Sequence, residues 1–262
     1  MSEQSAQAAE FDTVAEWTAR VAQHLGPQSY LAAGCRGSGS PAALDWLLTA
    51  LAVGPHDRMI DVGAGVGGPA AFARKSTGVR PVLAEPERGA CRAAARLFGL
   101  PVVRADAAQM PFADSTFDVA WCLGVLSTAP DEGGQLAMVR SLARLVGARG
   151  RIGLLVFVAA QEELADPPQG NRFPTADALI SLLGRSGLDV VAQADAKTLP
   201  GASTEWQEQE QAVEDELRRR YGETEQWQTA QDQADRIGRL LSEGSLSATL
   251  LSVVPSDASR AG

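Results

Sequence analysis

Three acidic positions spaced along the first half of the chain carry the chemistry that this sequence can do. The first stands in Met59-Ile60-Asp61-Val62-Gly63-Ala64-Gly65-Val66-Gly67-Gly68, where an apolar run ends in a carboxylate and glycines then alternate. Such a turn lets a flat, nucleoside-bearing ligand lie on the main chain, because glycine puts no Cβ in the way. The same residues satisfy G-x-G-x-x-G through Gly63, Gly65 and Gly68, so the glycines alone do not separate a dinucleotide from another adenosine ligand. The second position is Glu85, in Val82-Leu83-Ala84-Glu85-Pro86, eighteen residues past Gly67. A carboxylate there can accept from both hydroxyls of a ribose. The third is Asp106, in Ala105-Asp106-Ala107-Ala108-Gln109-Met110-Pro111-Phe112, disposed to accept from an exocyclic amine.

Other reactive side chains are sparse. The two histidines are His24 and His56, and His56 precedes the first strand, at the rim opposite the ligand. His24 and Tyr30 lie in the N-terminal region and are the weak candidates for a catalytic or substrate-contacting role. Cys35, Cys91 and Cys122 form no C-x-x-C pair and have no histidine at metal-ligand spacing, so neither a disulfide framework nor a metal centre is expected. The net charge of −9 opposes a nucleic-acid partner, whose affinity comes from clustered Lys and Arg. Segment 205–243 alone holds eleven acidic residues against five basic ones, read as a solvated helix face. The start of the chain lacks the basic and apolar run of a signal peptide, and no stretch reaches about 18 consecutive apolar residues, so a cytoplasmic protein away from membranes is expected.

The elements that must position these residues follow from periodicity. Short apolar runs at 58–62, 79–85, 102–105, 117–123, 150–158, 188–195 and 246–254 predict seven strands. Helical patterns near 68–76, 87–98, 133–147 and 175–186 separate them, and this alternation implies a mainly parallel sheet with right-handed crossovers. Phe117 and Val119 are expected to share one face of the fourth strand, with Asp118 on the other. Ahead of the sheet, 9–25 reads as one amphipathic helix, and Ser40-Pro41 opens another. Between the sixth and seventh strands, 203–244 reads as a helical pair broken at Gly222. An insertion leaving the sixth strand starts on the ligand rim, so it is placed to roof the site, and Trp206, Tyr221 and Trp227 are expected either to form an aromatic wall for the acceptor or simply to pack the pair onto its domain.

Taken together, Asp61 with its glycines, Glu85, and the run from Ala105 to Val119 resemble the class I S-adenosylmethionine-dependent methyltransferases, in the small-molecule branch that includes ubiquinone-type, menaquinone-type and natural-product enzymes. The resemblance runs from about Arg58 to Val158. It implies an α/β, Rossmann-like fold: a seven-stranded, mostly parallel sheet with an antiparallel last strand and helices on both faces. It assigns the methionine part of the cofactor to Asp61, Gly63, Ala64, Gly65 and Gly67, the ribose to Glu85 beside Pro86, and the adenine amine to Asp106 with Ala107. Cys122, ending the fourth strand, reads either as a small buried apolar residue or, with Leu123, as a pocket wall facing the cofactor.

One departure from the family pattern stands out. Related enzymes carry Gly-x-Leu-x-His after the fourth strand, whereas this chain has Gly124-Val125-Leu126-Ser127-Thr128. That puts a family-style general base in doubt and leaves Ser127 and Thr128 to line the acceptor pocket. Arg36, in a glycine-rich loop, is either part of a plain connector or a partner for the cofactor carboxylate.

The expected protein therefore has an N-terminal helical cap over 1–54, a cofactor-binding core over 55–262, and a helical lid at 203–244 within it. The expected reaction is metal-independent methyl transfer from S-adenosylmethionine to O, N or C of a small organic molecule, leaving S-adenosylhomocysteine. The alternative is a cofactor-binding protein that does not methylate, or a ring-forming enzyme on the same fold. No nucleic acid or membrane partner is expected, and the chain is a monomer or homodimer.

Overall fold

A computed structural model describes residues 9–256; the N-terminal stretch read for a leader and the last six residues of the expected core lie outside the described residues. The seven strands are β1 (Arg58–Val62), β2 (Arg80–Glu85), β3 (Val102–Arg104), β4 (Val119–Leu123), β5 (Arg151–Ala159), β6 (Leu188–Asp195) and β7 (Leu246–Pro255). They form one sheet in the order β3-β2-β1-β4-β5-β7-β6. Neighbours from β3 to β5 run parallel, and β7 lies antiparallel between β5 and β6. The antiparallel last strand is thus as expected.

Nine α-helices surround the sheet among the described residues: α1 (Ala15–Leu25), α2 (Tyr30–Cys35), α3 (Pro41–Ala50), α4 (Gly68–Thr77), α5 (Arg88–Phe98), α6 (Glu132–Val146), α7 (Ala176–Arg185), α8 (Thr204–Tyr221) and α9 (Glu225–Ser242). Their starts are set by side chains that satisfy free backbone donors. Ser40 accepts from Ala43 N with Pro41 in the first turn, Asp131 from Gly134 N, Ser203 from Trp206 N and Thr224 from Trp227 N. None of the described helices is long and apolar enough to cross a membrane.

Strands covered on both faces read as unbroken apolar runs, and β4 is buried throughout. The outer strand β6 alternates instead. One core, around Phe117, Ala120, Cys122, Leu142, Leu145 and Leu182, fills one side of the sheet; a second, around Leu44, Leu47, Leu51, Val119, Trp121 and Leu155, fills the other. A third cluster lies off the sheet. It joins Ala19, Val21 and Ala22 of α1 to Ala93 and Leu97 of α5, and to Val213, Leu217 and Trp227 of the inserted pair. Trp17 stacks on Tyr221 with ring centroids 4.1 Å apart and planes 4° from parallel. The insertion is therefore built onto the N-terminal helices.

Two expectations need correction. The single helix over 9–25 divides into a π-helical turn (Ala9–Val14) and α1, at the point where the Thr18 hydroxyl donates to Val14 O and competes for the carbonyl that the regular ladder uses. Phe117 and Val119 do not share a face, because they pack into opposite cores. Phe117 N donates to Leu145 O at the end of α6, so the period-two alternation begins only at Val119.

Candidate functional site

The glycine turn leaves β1 and enters α4, and its three alternating glycines have different tasks. All take positive φ, at 73° for Gly63, 52° for Gly65 and 85° for Gly67. A Cβ on Gly63 would fall 2.3 Å from Val125 Cγ2, and one on Gly67 would fall 2.8 Å from Leu83 Cδ2, so close packing demands glycine at both. A Cβ on Gly65 would meet nothing within 4 Å. Only Gly65 of the three faces open space, a cradle in the turn. Gly68 is pressed against the backbone of α2, since a Cβ there would stand 2.1 Å from Gly34 C.

Two carboxyl groups sit beside this cradle. Asp61 is 1% exposed, and burial pushes its carboxyl up to about 7; Trp121 and the Ala70 N–H oppose the rise, and the Glu85 charge adds to it. Although Trp121 Nε1 is directed at this carboxyl, neither it nor Asp61 Oδ2 completes a hydrogen bond. Glu85 is also buried, and burial lifts it to about 7 against the pull of the Glu87 and Gly65 N–H groups. Its Oε2 accepts from Gly65 N at 2.8 Å and its Oε1 from Glu87 N at 2.9 Å. Each carboxylate oxygen keeps a further lone pair for a ligand hydroxyl.

The third acid is set by the next turn. Asp106 is exposed beyond the end of β3, with Oδ1 accepting from Ala108 N at 2.7 Å, and Ala107 is buried beside it. Arg104 donates to the carbonyl of the exposed Pro86 at 2.8 Å and ties the β2 and β3 tips together. Ala64 is buried within the glycine turn, and Cys122 and Leu123 are buried at the end of β4. The Cys122 thiol is pushed up to about 12 by burial, with Asp61 adding to the shift. These placements bring Asp61, Gly63, Ala64, Gly65, Gly67, Glu85 and Cys122 to one rim, with Asp106 and Ala107 at its edge.

Two distant segments lie over the β4 and β5 tips. Loop 36–39 crosses the β4 and β5 tips: Gly124 lies below Gly37 O, and Gly39 lies against Leu155. Arg36 is paired with Glu214 on α8, so the structure does not turn it toward the rim. Cys35, at the end of α2, is buried; burial raises its thiol, and the Glu210 and Asp61 charges raise it further. Of the three aromatics expected to wall the acceptor, only Trp206 reaches this region, packing with Cys35, Leu155 and Phe157. Tyr221 and Trp227 pack on the N-terminal helices instead.

The remaining candidates lie apart. His24 is on the outer side of α1, 60% exposed and 3.8 Å from Glu216. Tyr30 is half-buried, edge-on to Phe98. His56 lines a depression of about 690 Å³ with Arg58, Arg80 and Phe117, at the amino ends of the strands and far from the glycine turn. Thr128 turns back to donate to Val125 O, while Ser127 is buried and donates to Asn171 Oδ1 at 3.0 Å. Sequence reasoning missed Asn171, Val125, Glu210 and Glu214. Glu210 falls at helical spacing with Trp206, Val213 and Leu217, but its polar side chain and Glu214 count in the charge run read as a solvated face, which gives neither a task. Among the described residues, no group of three or more His, Cys, Asp or Glu is disposed to hold a metal ion.

Comparison with known proteins places this geometry. Residues 60–152 match the family described as "Methyltransferase domain". The fold is similar to that of the [4+2]-cyclase SpnF, with 19% identity over 84% of each chain and a TM-score of 0.64. It is also similar to an S-adenosylmethionine-dependent methyltransferase from Geobacter sulfurreducens solved with S-adenosyl-L-homocysteine, at 20% identity over 84% of this chain and 92% of that one, with a TM-score of 0.60. A third neighbour is the geranyl diphosphate C-methyltransferase from Streptomyces coelicolor A3(2), at 13% identity over 81% and 79% of the two chains and a TM-score of 0.57. The match to the methyltransferase domain covers residues 60–152, and the chain as a whole has the Rossmann-like fold of the S-adenosylmethionine-dependent methyltransferases.

Proposed function

We propose that the protein binds S-adenosylmethionine on the glycine turn and transfers its methyl group to a small organic acceptor. The observation that carries this reading is the junction of Glu85 with Gly65: a buried carboxylate is fixed at 2.8 Å to the one glycine of the alternating turn whose missing Cβ opens onto space. The unpaired Oδ2 of buried Asp61 adds a second polar group that a ligand amine would satisfy. Glu85 would hold the ribose hydroxyls, Asp106 with Ala107 the adenine edge, and Gly63, Ala64, Gly65, Gly67 and Asp61 the methionine part, with Cys122 and Leu123 as the wall behind it. The cofactor, when bound, supplies a methyl carbon made electrophilic by a sulfonium.

The chain's own task is then alignment and exclusion of water. The N-terminal helices and the α8–α9 insertion share one apolar cluster and form the cap and lid, with loop 36–39 held over the β4 and β5 tips. A net charge of −9 supports a small-molecule acceptor over a nucleic acid. The test is incubation with S-adenosylmethionine labelled on its methyl group and a broad acceptor library, read by mass shift. Transfer of label supports the reading; tight binding of cofactor with no transfer to any acceptor would favour the second reading.

That second reading is a ring-forming or purely binding role. It is favoured by the β4 tip, where Ser127 donates to Asn171 and Thr128 to Val125 O, and where no side chain with the basicity of a histidine stands in 124–128. The fold likeness to a cyclase is in keeping with it.

A further inference from the structure

Glu210 stands on α8 one turn after Trp206 and one turn before Glu214, on the same helix face. Trp206 packs against the cluster that holds Cys35 and Leu155, and Glu214 pairs with Arg36, the residue after Cys35. The position between them therefore faces the roof of the site, and the Cys35 thiol responds to the Glu210 charge from α8 as it does to Asp61 from the sheet. Glu210 is half-buried and, unlike Glu214 and Glu216 on its own helix, enters no hydrogen bond or ion pair among the described residues. The Trp206 Nε1, one turn away, is enclosed and equally without a partner. A half-buried carboxylate beside aromatic surface and without a counter-charge has its oxygens free for a cationic ligand.

The surroundings specify that ligand. Trp206, one turn away, packs on an apolar cluster and stands edge-on to Phe72 at 6.5 Å, and the local cation Arg36 is already committed to Glu214. Asp61, Glu85 and Glu210 leave the region acidic, and an aromatic ring beside a carboxylate suits an ammonium group over a neutral hydroxyl. We propose that Glu210 is the lid-side carboxylate that binds the amine of the methyl acceptor, so that the substrate class is a hydrophobic amine methylated on nitrogen. This rests on the methyltransferase reading given above. The ammonium nitrogen passes one proton to a Glu210 carboxylate oxygen and gains a lone pair; it forms its bond to the methyl carbon as the carbon–sulfur bond breaks, and the bonding pair stays on sulfur. The proton on Glu210 then leaves to solvent with the product.

Calorimetry on the full chain saturated with S-adenosylhomocysteine tests this, using 2-phenylethylammonium and its neutral counterpart 2-phenylethanol as probes. The ammonium should bind at least about tenfold more tightly than the alcohol, and Glu210→Gln should reduce that preference to about twofold or less. The affinity of Glu210→Gln for S-adenosylhomocysteine should stay within about twofold of the parent, which also reports that the variant is folded. Equal binding of the two probes, binding of neither, or an unchanged preference in Glu210→Gln would overturn the proposal. So would a large loss of S-adenosylhomocysteine affinity in Glu210→Gln, which would assign Glu210 to the ammonium of the cofactor itself. Failure of the parent chain to bind S-adenosylhomocysteine is a different result, and it would remove the methyltransferase reading along with the proposal.

Discussion

Glu85 Oε2 accepts a hydrogen bond from Gly65 N at 2.8 Å, so the acid at the β2 tip and the middle glycine of the β1 turn are one unit. Replacing Glu85 by Ala removes the proposed ribose acceptor and the partner of the Gly65 and Glu87 donors together. Affinity for S-adenosylhomocysteine should fall roughly tenfold or more, about 1.4 kcal/mol at least, by calorimetry. An unchanged affinity would contradict the ribose assignment.

The glycines should separate by phenotype. Gly65→Ala places a methyl group in the open cradle; its positive φ of 52° costs about 1 kcal/mol of stability, while cofactor binding is lost. Gly67→Ala drives a Cβ against Leu83 Cδ2 at 2.8 Å and should unfold at lower temperature, by about 1–3 kcal/mol. Thermal melts paired with binding assays check this, and equal loss of stability in both variants would refute the division.

Burial of Asp61 makes stability depend on pH in a direction opposite to that of an exposed, paired acid. Its carboxyl titrates near 7 in the folded chain and near about 4 when unfolded, so between those values the folded chain binds more protons and stability falls as pH rises. The penalty is complete above about 7. Asp118, held near 2 chiefly by its hydrogen bond from Arg58, works the other way, and its contribution is lost only in strong acid. Relative to the parent, Asp61→Asn should gain at least about 2 °C more in melting temperature at pH 8 than at pH 5.5. A pH-independent difference would refute it.

Arg36 and Glu214 join the loop over the β4 tip to the insertion. Either Arg36→Ala or Glu214→Ala should speed amide exchange across 37–39, and the double variant should add little to either, with a coupling of about 0.5–1 kcal/mol. Full additivity would show that the pair does not hold the loop. Deletion of 203–244 is a poorer test, because it strips Val213, Leu217 and Trp227 from a cluster shared with α1 and α5.

Much of this architecture was legible because local signals agreed. The apolar runs ending at Val62 and Asp195 are bounded by turn residues and match β1 and β6 as expected. Ser40-Pro41 marks the start of α3 by cap chemistry alone. Phe117 misled because its backbone is claimed by Leu145 O across the fold, a partner no local pattern shows. At the candidate site, residue type alone marks Asp61, Glu85 and Gly65, and the structure brings them together. The rest was hidden where proximity makes the role: Gly63 is required by Val125, sixty-two positions later, and Arg36 meets Glu214 from the far end of the chain. Glu210 sits at helical spacing with Trp206, yet nothing local sets it apart from the ten other acidic residues of 205–243, because its surroundings come from the distant α2 and Arg36.

A crystal structure of the chain with S-adenosylhomocysteine tests the central claim most directly. The account predicts the ribose hydroxyls within hydrogen-bonding distance of the Glu85 carboxylate and the ligand lying over Gly65. Ligand density away from the Gly65–Glu85 junction, or a cradle filled by the protein's own side chains, would contradict it.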